Sequence, residues 1–246
     1  MDINFFILSC LALFIAGSIK GVIGFGVPTV SIAILTMFAE VSAVWPVIAM
    51  AALITNIWQA VNGEHLRELF ARFAGLLVLS FAATIATYFL IGNQYPSLTL
   101  FVLGTILFCY GLSRLFNKRL LPTLSNERIS SPIVGLVQGV ATGISGTFIV
   151  PMLLYLQDRN LDRDRLIQAL GISFTNSAIA LSIALALDGQ FSISVTTASL
   201  LAVVPAIVGM RVGRRLRRSL SETIFERVFL IGLTLAGLNL IIRALS

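Results

Sequence analysis

Three kinds of residue in this chain have the type and spacing to do chemistry. Lys20 is a basic residue inside an apolar run, and glycines break two apolar stretches, the one that carries Lys20 at Gly24-Phe-Gly26-Val-Pro28 and a later one at Gly143-Ile-Ser145-Gly146. Asn56 and Asn176 sit in two further apolar runs, each directly after a threonine. Where a helix breaks at such glycines, the half-helix that follows starts with free backbone N–H groups and a positive dipole end, which suits an anion. Glycine permits the tight turn and the close backbone approach that this requires. The second limbs are expected to begin near Thr29 and Thr147, whose hydroxyls would cap a helix or contact a ligand.

A lysine at the centre of a membrane helix costs about 2.5–3.5 kcal/mol on insertion scales, so Lys20 needs a partner, a cavity or a route to the interface. Its chemical role would be counter-charge to an anion, and the plain alternative is snorkelling from a helix end. Gln138 matches Lys20 in an internal repeat described below and is also polar, which favours a site. The Asn56 and Asn176 amides would orient a ligand through N–H donors or simply bond across helices. Gly17-xxx-Gly21 and Gly135-xxx-Gly139 also fit the small-residue spacing that lets membrane helices pack closely, so packing alone is the competing reading of the glycines. The candidate ligand-binding set is therefore Lys20, Gly24, Gly26, Thr29, Asn56, Gln138, Gly143, Ser145, Gly146, Thr147 and Asn176.

The elements that must carry these residues are membrane spans. The 246 residues are 57% hydrophobic and 11% charged, with a mean hydropathy of +0.97; soluble chains average roughly 45–50% apolar and 25% charged. Apolar runs fall at 3–24, 27–39, 43–62, 73–92, 96–116, 131–157, 166–187, 191–210 and 224–244. A span needs about 20 mostly apolar residues, so the shorter runs need their flanks. The net charge of +6 comes mostly from the links between runs, where Lys and Arg set topology rather than bind nucleic acid. Cys10 and Cys109 lie inside apolar runs without CxxC spacing and read as packing residues. Met1-Asp2-Ile3-Asn4 lacks the basic region of a secretory signal, so the first segment is expected to be retained.

The chain repeats itself. Gly17-Ser-Ile-Lys20-Gly21 aligns with Gly135-Leu-Val-Gln138-Gly139, Thr55-Asn56 with Thr175-Asn176, and Tyr110-Gly111-Leu112-Ser113 with Ala236-Gly237-Leu238-Asn239, at offsets drifting from about 118 to about 126. Residues 1–116 form a first membrane repeat, 117–131 a polar cytoplasmic linker and 132–246 a second repeat. Basic links around 67–72, 114–128, 159–165 and 211–218 belong in the cytoplasm, and the uncharged links at 93–96 and 188–190 outside. Strict alternation puts two basic links on opposite sides unless 131–157 enters and leaves by one face. That makes it a re-entrant hairpin turning at Gly143–Gly146, acceptable only where protein or a wet cavity covers it. The halves are then inverted. The fold class expected is an all-α polytopic membrane protein of two inverted four-segment repeats, each with a glycine-rich broken or re-entrant segment.

Other motifs carry less. Arg211 to Arg218 follow a span and fit orientation or an anionic-lipid contact. His65, the sole histidine, lies in a charged link and reads as solvated. Gly143-Ile-Ser145-Gly146 matches the GxSG of rhomboid-type intramembrane serine proteases, whose base is a later histidine that this chain lacks. No HExxH motif and no phosphate-binding loop is present, which argues against a metalloprotease and an ATP-driven pump. A non-transporting scaffold, in which glycines only pack helices, is the other alternative. No catalytic residue, metal site or cofactor is expected.

Gly17-Ser-Ile-Lys20-Gly21-Val-Ile-Gly24-Phe25-Gly26 resembles the first signature of the TauE/SafE sulfite exporter family. Gly139-Val-Ala-Thr-Gly143-Ile-Ser-Gly146-Thr-Phe-Ile-Val-Pro151 resembles the second, and Pro205-Ala-Ile-Val-Gly209-Met-Arg-Val-Gly213-Arg and the final span are also similar. Pro28 departs from the pattern by following the glycines early. The resemblance implies a multi-pass carrier of the bacterial inner (plasma) membrane, with about eight segments, moving sulfite, sulfonates or related small anions. Its expected partners are that anion and the lipid bilayer, without nucleic acid; a homo-oligomer is left open.

Overall fold

The structure is a computed structural model that describes residues 3–92, 94–116, 126–216 and 222–245. Residues 117–125 of the expected linker, with Arg217 and Arg218, lie outside these. The described chain is helical: α1 (Ile3–Ile23), α2 (Val27–Leu35), α3 (Val41–Val61), α4 (Leu66–Arg72), α5 (Ala74–Thr87), α6 (Pro96–Leu115), α7 (Glu127–Ser145), α8 (Met152–Gln157), α9 (Arg163–Leu187), α10 (Ile193–Leu216) and α11 (Glu222–Leu245). A π turn, Tyr88–Gly92, extends α5. Seven of the described helices, α1, α3, α5 with its π turn, α6, α9, α10 and α11, are long and apolar enough to cross a membrane. α7 is not among them, and its buried face carries Ser130, Ser131, Gln138 and Thr142.

Local chemistry sets the helix ends. Asn126 accepts a hydrogen bond from the Arg128 N–H and Asp162 from that of Arg165, so side chains cap α7 and α9. α7 therefore starts at Glu127, four residues ahead of the apolar run. At its other end Gly146, at φ 68°, closes the helix in the left-handed conformation. Gly26, at φ 114°, precedes α2, and Pro28 occupies its first turn, where a missing N–H costs nothing. The early proline thus fits a helix start. The expected caps differ: α2 is preceded by Gly26 with no side-chain cap, and α8 starts at Met152 after Pro151, so neither Thr29 nor Thr147 caps a helix.

The helices pack chiefly as pairs, α1 with α10, α5 with α7, α6 with α11 and α3 with α9. In the first two pairs glycines remove the side chain that would hold the backbones apart. A methyl at Gly17 would sit 2.1 Å from the Ala206 carbonyl oxygen and one at Gly213 2.0 Å from that of Ser18; at Gly135 the distance is 2.3 Å to Leu76, and at Gly139 2.5 Å to Ser80. Both pairs run parallel, because successive glycines of one helix meet successive turns of the other. Lipid tails give no hydrophobic drive for association, so this close van der Waals contact carries it. The outward face of α1 shows Ile3, Ile7, Leu11 and Ile15 one turn apart, all exposed, while Ala12, Ala16, Gly17 and Lys20 face inward.

One end of the bundle gathers arginines. Arg72 at the end of α4 forms a two-pronged pair with Glu127 at 2.7 and 2.8 Å and reaches the Arg159 carbonyl at 3.5 Å. Arg165 reaches Glu68 at 3.3 Å. The hydrogen bond from Arg72 holds the Glu127 carboxyl below its ordinary range and raises the Arg72 guanidinium in turn. At this basic face Ser130 and Tyr155 hydroxyls lie 3.1 Å apart, and deeper in, the Met152 N–H donates to Gln138 Oε1 at 3.0 Å. α8 therefore runs back along α7, and both outer ends of 127–157 lie side by side.

Candidate functional site

α1 carries Lys20 inward because its lipid-facing residues take the other side of the helix. The side chain is 3% exposed. Its ammonium donates to the Thr55 carbonyl at 3.2 Å and to Asn56 Oδ1, both on α3. Both acceptors are neutral, and among the described residues no carboxylate pairs with Lys20. Asn56 is fully buried, and with its oxygen turned to Lys20 its Nδ2 has no acceptor among the described residues. The carbonyl of Lys20 ends α1 by accepting from the Gly24 N–H at 2.7 Å. The break follows at once, with Gly24 at φ 100° and Gly26 at φ 114°, before α2 sets out with Thr29 in its first turn.

The second break is built differently. Gln138 is fully buried, and its Nε2 donates to Thr142 Oγ1 at 3.1 Å and to the Thr147 carbonyl at 3.4 Å. Thr142 adds its own bond to the Thr147 carbonyl at 2.9 Å. With the bond from Met152, Gln138 staples the return segment 147–152 to α7. Gly143 and Gly146 are enclosed by neighbours: a methyl at Gly143 would lie 2.7 Å from the Thr84 carbonyl oxygen, and one at Gly146 2.8 Å from Trp45 Nε1. The Trp45 indole is 1% exposed and its N–H has no acceptor among the described residues. Its ring packs 5.4 Å from Tyr88, whose hydroxyl donates to Asp188 at 2.8 Å.

The two breaks meet through Thr29 and Thr147, whose hydroxyl oxygens are 3.3 Å apart and fully buried. Asn176 stays apart. Its amide donates to the Leu77 carbonyl and to Ser80 Oγ, both at 3.0 Å, and so ties α9 to α5. The Ser145 hydroxyl donates to the Ala141 carbonyl at 2.6 Å and accepts weakly from the Thr147 N–H, while His65 pairs with Glu68 in the basic links. Serine and histidine do not form a nucleophile and base.

Two buried N–H donors thus have no acceptor among the described residues, Asn56 Nδ2, whose own oxygen meets the Lys20 ammonium, and Trp45 Nε1 against Gly146. With a lysine ammonium and two threonine hydroxyls, this is a donor-rich interior suited to an oxyanion, which only accepts. Trp45 and Thr142 were not in the set read from the sequence. A buried indole in an apolar helix looks like any packing aromatic, and only the fold brings it to Gly146. Thr142, at four residues from Gln138 on one helix, was findable from spacing.

No curated protein and no solved structure matches the chain significantly. The family model described as Sulfite exporter TauE/SafE matches residues 9–240, nearly the whole chain. On that match, and consistently with its apolar helices, the chain belongs to the TauE/SafE sulfite exporter family of multi-pass membrane transport proteins.

Proposed function

We propose that this protein is a secondary transporter of a small anion, such as sulfite or a sulfonate, working by alternating access around a site at the bilayer midplane. The observation that carries this reading is Lys20: a buried cation whose partners among the described residues are neutral, one turn from a helix break, beside an Asn56 amide whose N–H meets no acceptor among those residues. A buried cation without a counter-ion is costly unless something supplies the negative charge. An anionic ligand would do so, and Thr29, Thr147 and the Trp45 indole offer it further donors.

In this reading the chain is two inverted repeats, 1–116 and 132–246, each with a glycine-rich broken or re-entrant segment. Support comes from the helix pairs. Matching α1 to α7 and α5 to α10 turns the α1–α10 pair into the α7–α5 pair, while α3–α9 and α6–α11 map onto themselves. Matched residues in mutual contact must lie on the axis that relates two halves, and Thr29 and Thr147, at an offset of 118 like Lys20 and Gln138, are such a pair. The side-by-side ends of 127–157 favour its entering and leaving by one face, and the arginines there favour a cytoplasmic face in a bacterial inner membrane.

Thermal unfolding of purified protein with sulfite, thiosulfate, sulfoacetate and simple carboxylates, followed by flux of the stabilising anion in proteoliposomes, tests the proposal. A transporter is stabilised by at least one anion and moves it. A protein that no anion stabilises and that moves none has glycines and lysine for packing alone.

A further inference from the structure

At the basic face the first break borders a cavity of about 220 Å³. Its walls include Phe25, Leu153 and Leu170, and its polar lining includes Gly24, Arg114 and Arg163. Nothing lies within 4 Å of the position a Gly24 side chain would take, so the broken backbone faces open space here. Arg114 closes α6 and Arg163 opens α9, so the two guanidiniums come from different halves of the chain. No carboxylate is among the described residues that line the cavity. A second, larger cavity of about 760 Å³ involves the start of α3 and the end of α11, and its charges balance: Glu40 and Arg243 both line it, and Arg243 donates to the Thr36 carbonyl at 2.6 Å.

Resting on the transporter reading, we propose that the cavity at the basic face is a capture subsite for a small oxyanion, held by Arg114 and Arg163 before it passes to Lys20. Planar guanidinium forks match the oxygens of a sulfonate or carboxylate, and two of them at an apolar-walled opening concentrate anions there. The ligand would have one helical turn to travel, since Gly24 lines the cavity and its N–H is bonded to the Lys20 carbonyl. The second cavity presents the Glu40 carboxylate, which repels an anion, so capture is one-sided.

The test is the KM for sulfite and for ethanesulfonate from each membrane face, in inside-out and right-side-out vesicles, for Arg163→Gln and Arg114→Gln. Loss of one charge-assisted contact corresponds to about a tenfold rise in KM. That rise is expected from one face only, with kcat within about twofold, and Arg67→Gln, an exposed arginine that does not line the cavity, is expected to leave both unchanged. Unchanged KM, or an equal rise from both faces, overturns the subsite. Anionic lipid headgroups present the same oxygens, so the measurement is repeated in phosphatidylcholine with and without phosphatidylglycerol. An effect seen only with phosphatidylglycerol makes it a lipid site and overturns capture. Arg163 is exposed at the start of α9, so its variant decides the matter if Arg114→Gln fails to fold. If the unmodified protein moves neither probe nor any anion of the stabilisation panel, the transporter reading itself falls, an outcome separate from normal flux with unaltered KM.

Discussion

Replacing Lys20 by methionine separates a ligand-binding cation from a structural one, because the two predict opposite balances of stability and flux. The ammonium has two neutral acceptors, the Thr55 carbonyl and Asn56 Oδ1. Losing these charge-assisted bonds costs about 1.5–3 kcal/mol each. Removing the cation also removes its desolvation penalty, which is several kcal/mol for a buried ion. The Thr55 carbonyl lies inside α3 and keeps its helical partner, so only Asn56 Oδ1 is left wanting a donor, at about 1–3 kcal/mol. These terms nearly cancel, and the net change is expected within about 2 kcal/mol, or at most about 8 °C in Tm for a chain of this size. The anion fares otherwise. A buried ion deprived of its partner loses about 3–5 kcal/mol, which is at least about 100-fold in affinity. Counterflow in proteoliposomes should therefore fall to background while Tm holds, and the anion-induced rise in Tm should disappear. Full transport by a folded Lys20→Met protein would remove Lys20 from the site. A loss of Tm well beyond 8 °C would make it a structural strut.

Three further outcomes follow from the same geometry. Gly213→Val places its side chain 2.0 Å from the Ser18 carbonyl oxygen, so α1 and α10 must separate and stability should drop by at least about 1–3 kcal/mol; a scan showing normal Tm would refute the close parallel pair. Glu127 is held below its ordinary carboxyl range by Arg72, so its contribution is present above the unfolded value and lost as pH falls through the folded one. Glu127→Gln should accordingly flatten the acid limb of a Tm-versus-pH curve, and an unchanged limb would count against the pair. The transposed variant Lys20→Gln with Gln138→Lys should not regain transport, because a lysine at 138 cannot accept from the Met152 N–H and Asn176 is already engaged with α5. Recovered flux would refute that asymmetry.

The spans, both breaks and the isolated lysine were legible because each is a local departure from apolar composition. Helix ends moved by a few residues where a side chain took over, as at Asn126 and Asp162, since a single capping bond outweighs the edge of an apolar run. The roles of the glycines were only half legible. Gly17 and Gly135 stand in equivalent places and fit the spacing of packing glycines, and the carbonyls of Ala206 and Leu76 lie against them; Gly143 and Gly146, read as ligand contacts, are enclosed by Thr84 and Trp45 as well. Asn176 reads the same as Asn56 along the chain, yet its amide is taken by Leu77 and Ser80, two partners almost a hundred residues away. Trp45 was hidden for the same reason: its importance lies in what it fails to touch.

Those differences lead to a division of labour. If the halves descend from one unit, position 20 and position 138 began alike and now do separate things. Lys20 carries charge and leans on α3, leaving an amide N–H unused. Gln138 carries none and uses both ends of its amide to hold the return segment against α7. A second lysine there would put two like charges near the place where Thr29 meets Thr147, each without a carboxylate, and would also strand the Met152 N–H. One cation and one staple give a lysine ammonium at the first break and a buried amide that ties the second. In the proposed alternating access that asymmetry would matter, because a ligand that neutralises Lys20 would act at the first break while the Gln138 staple keeps the second in place.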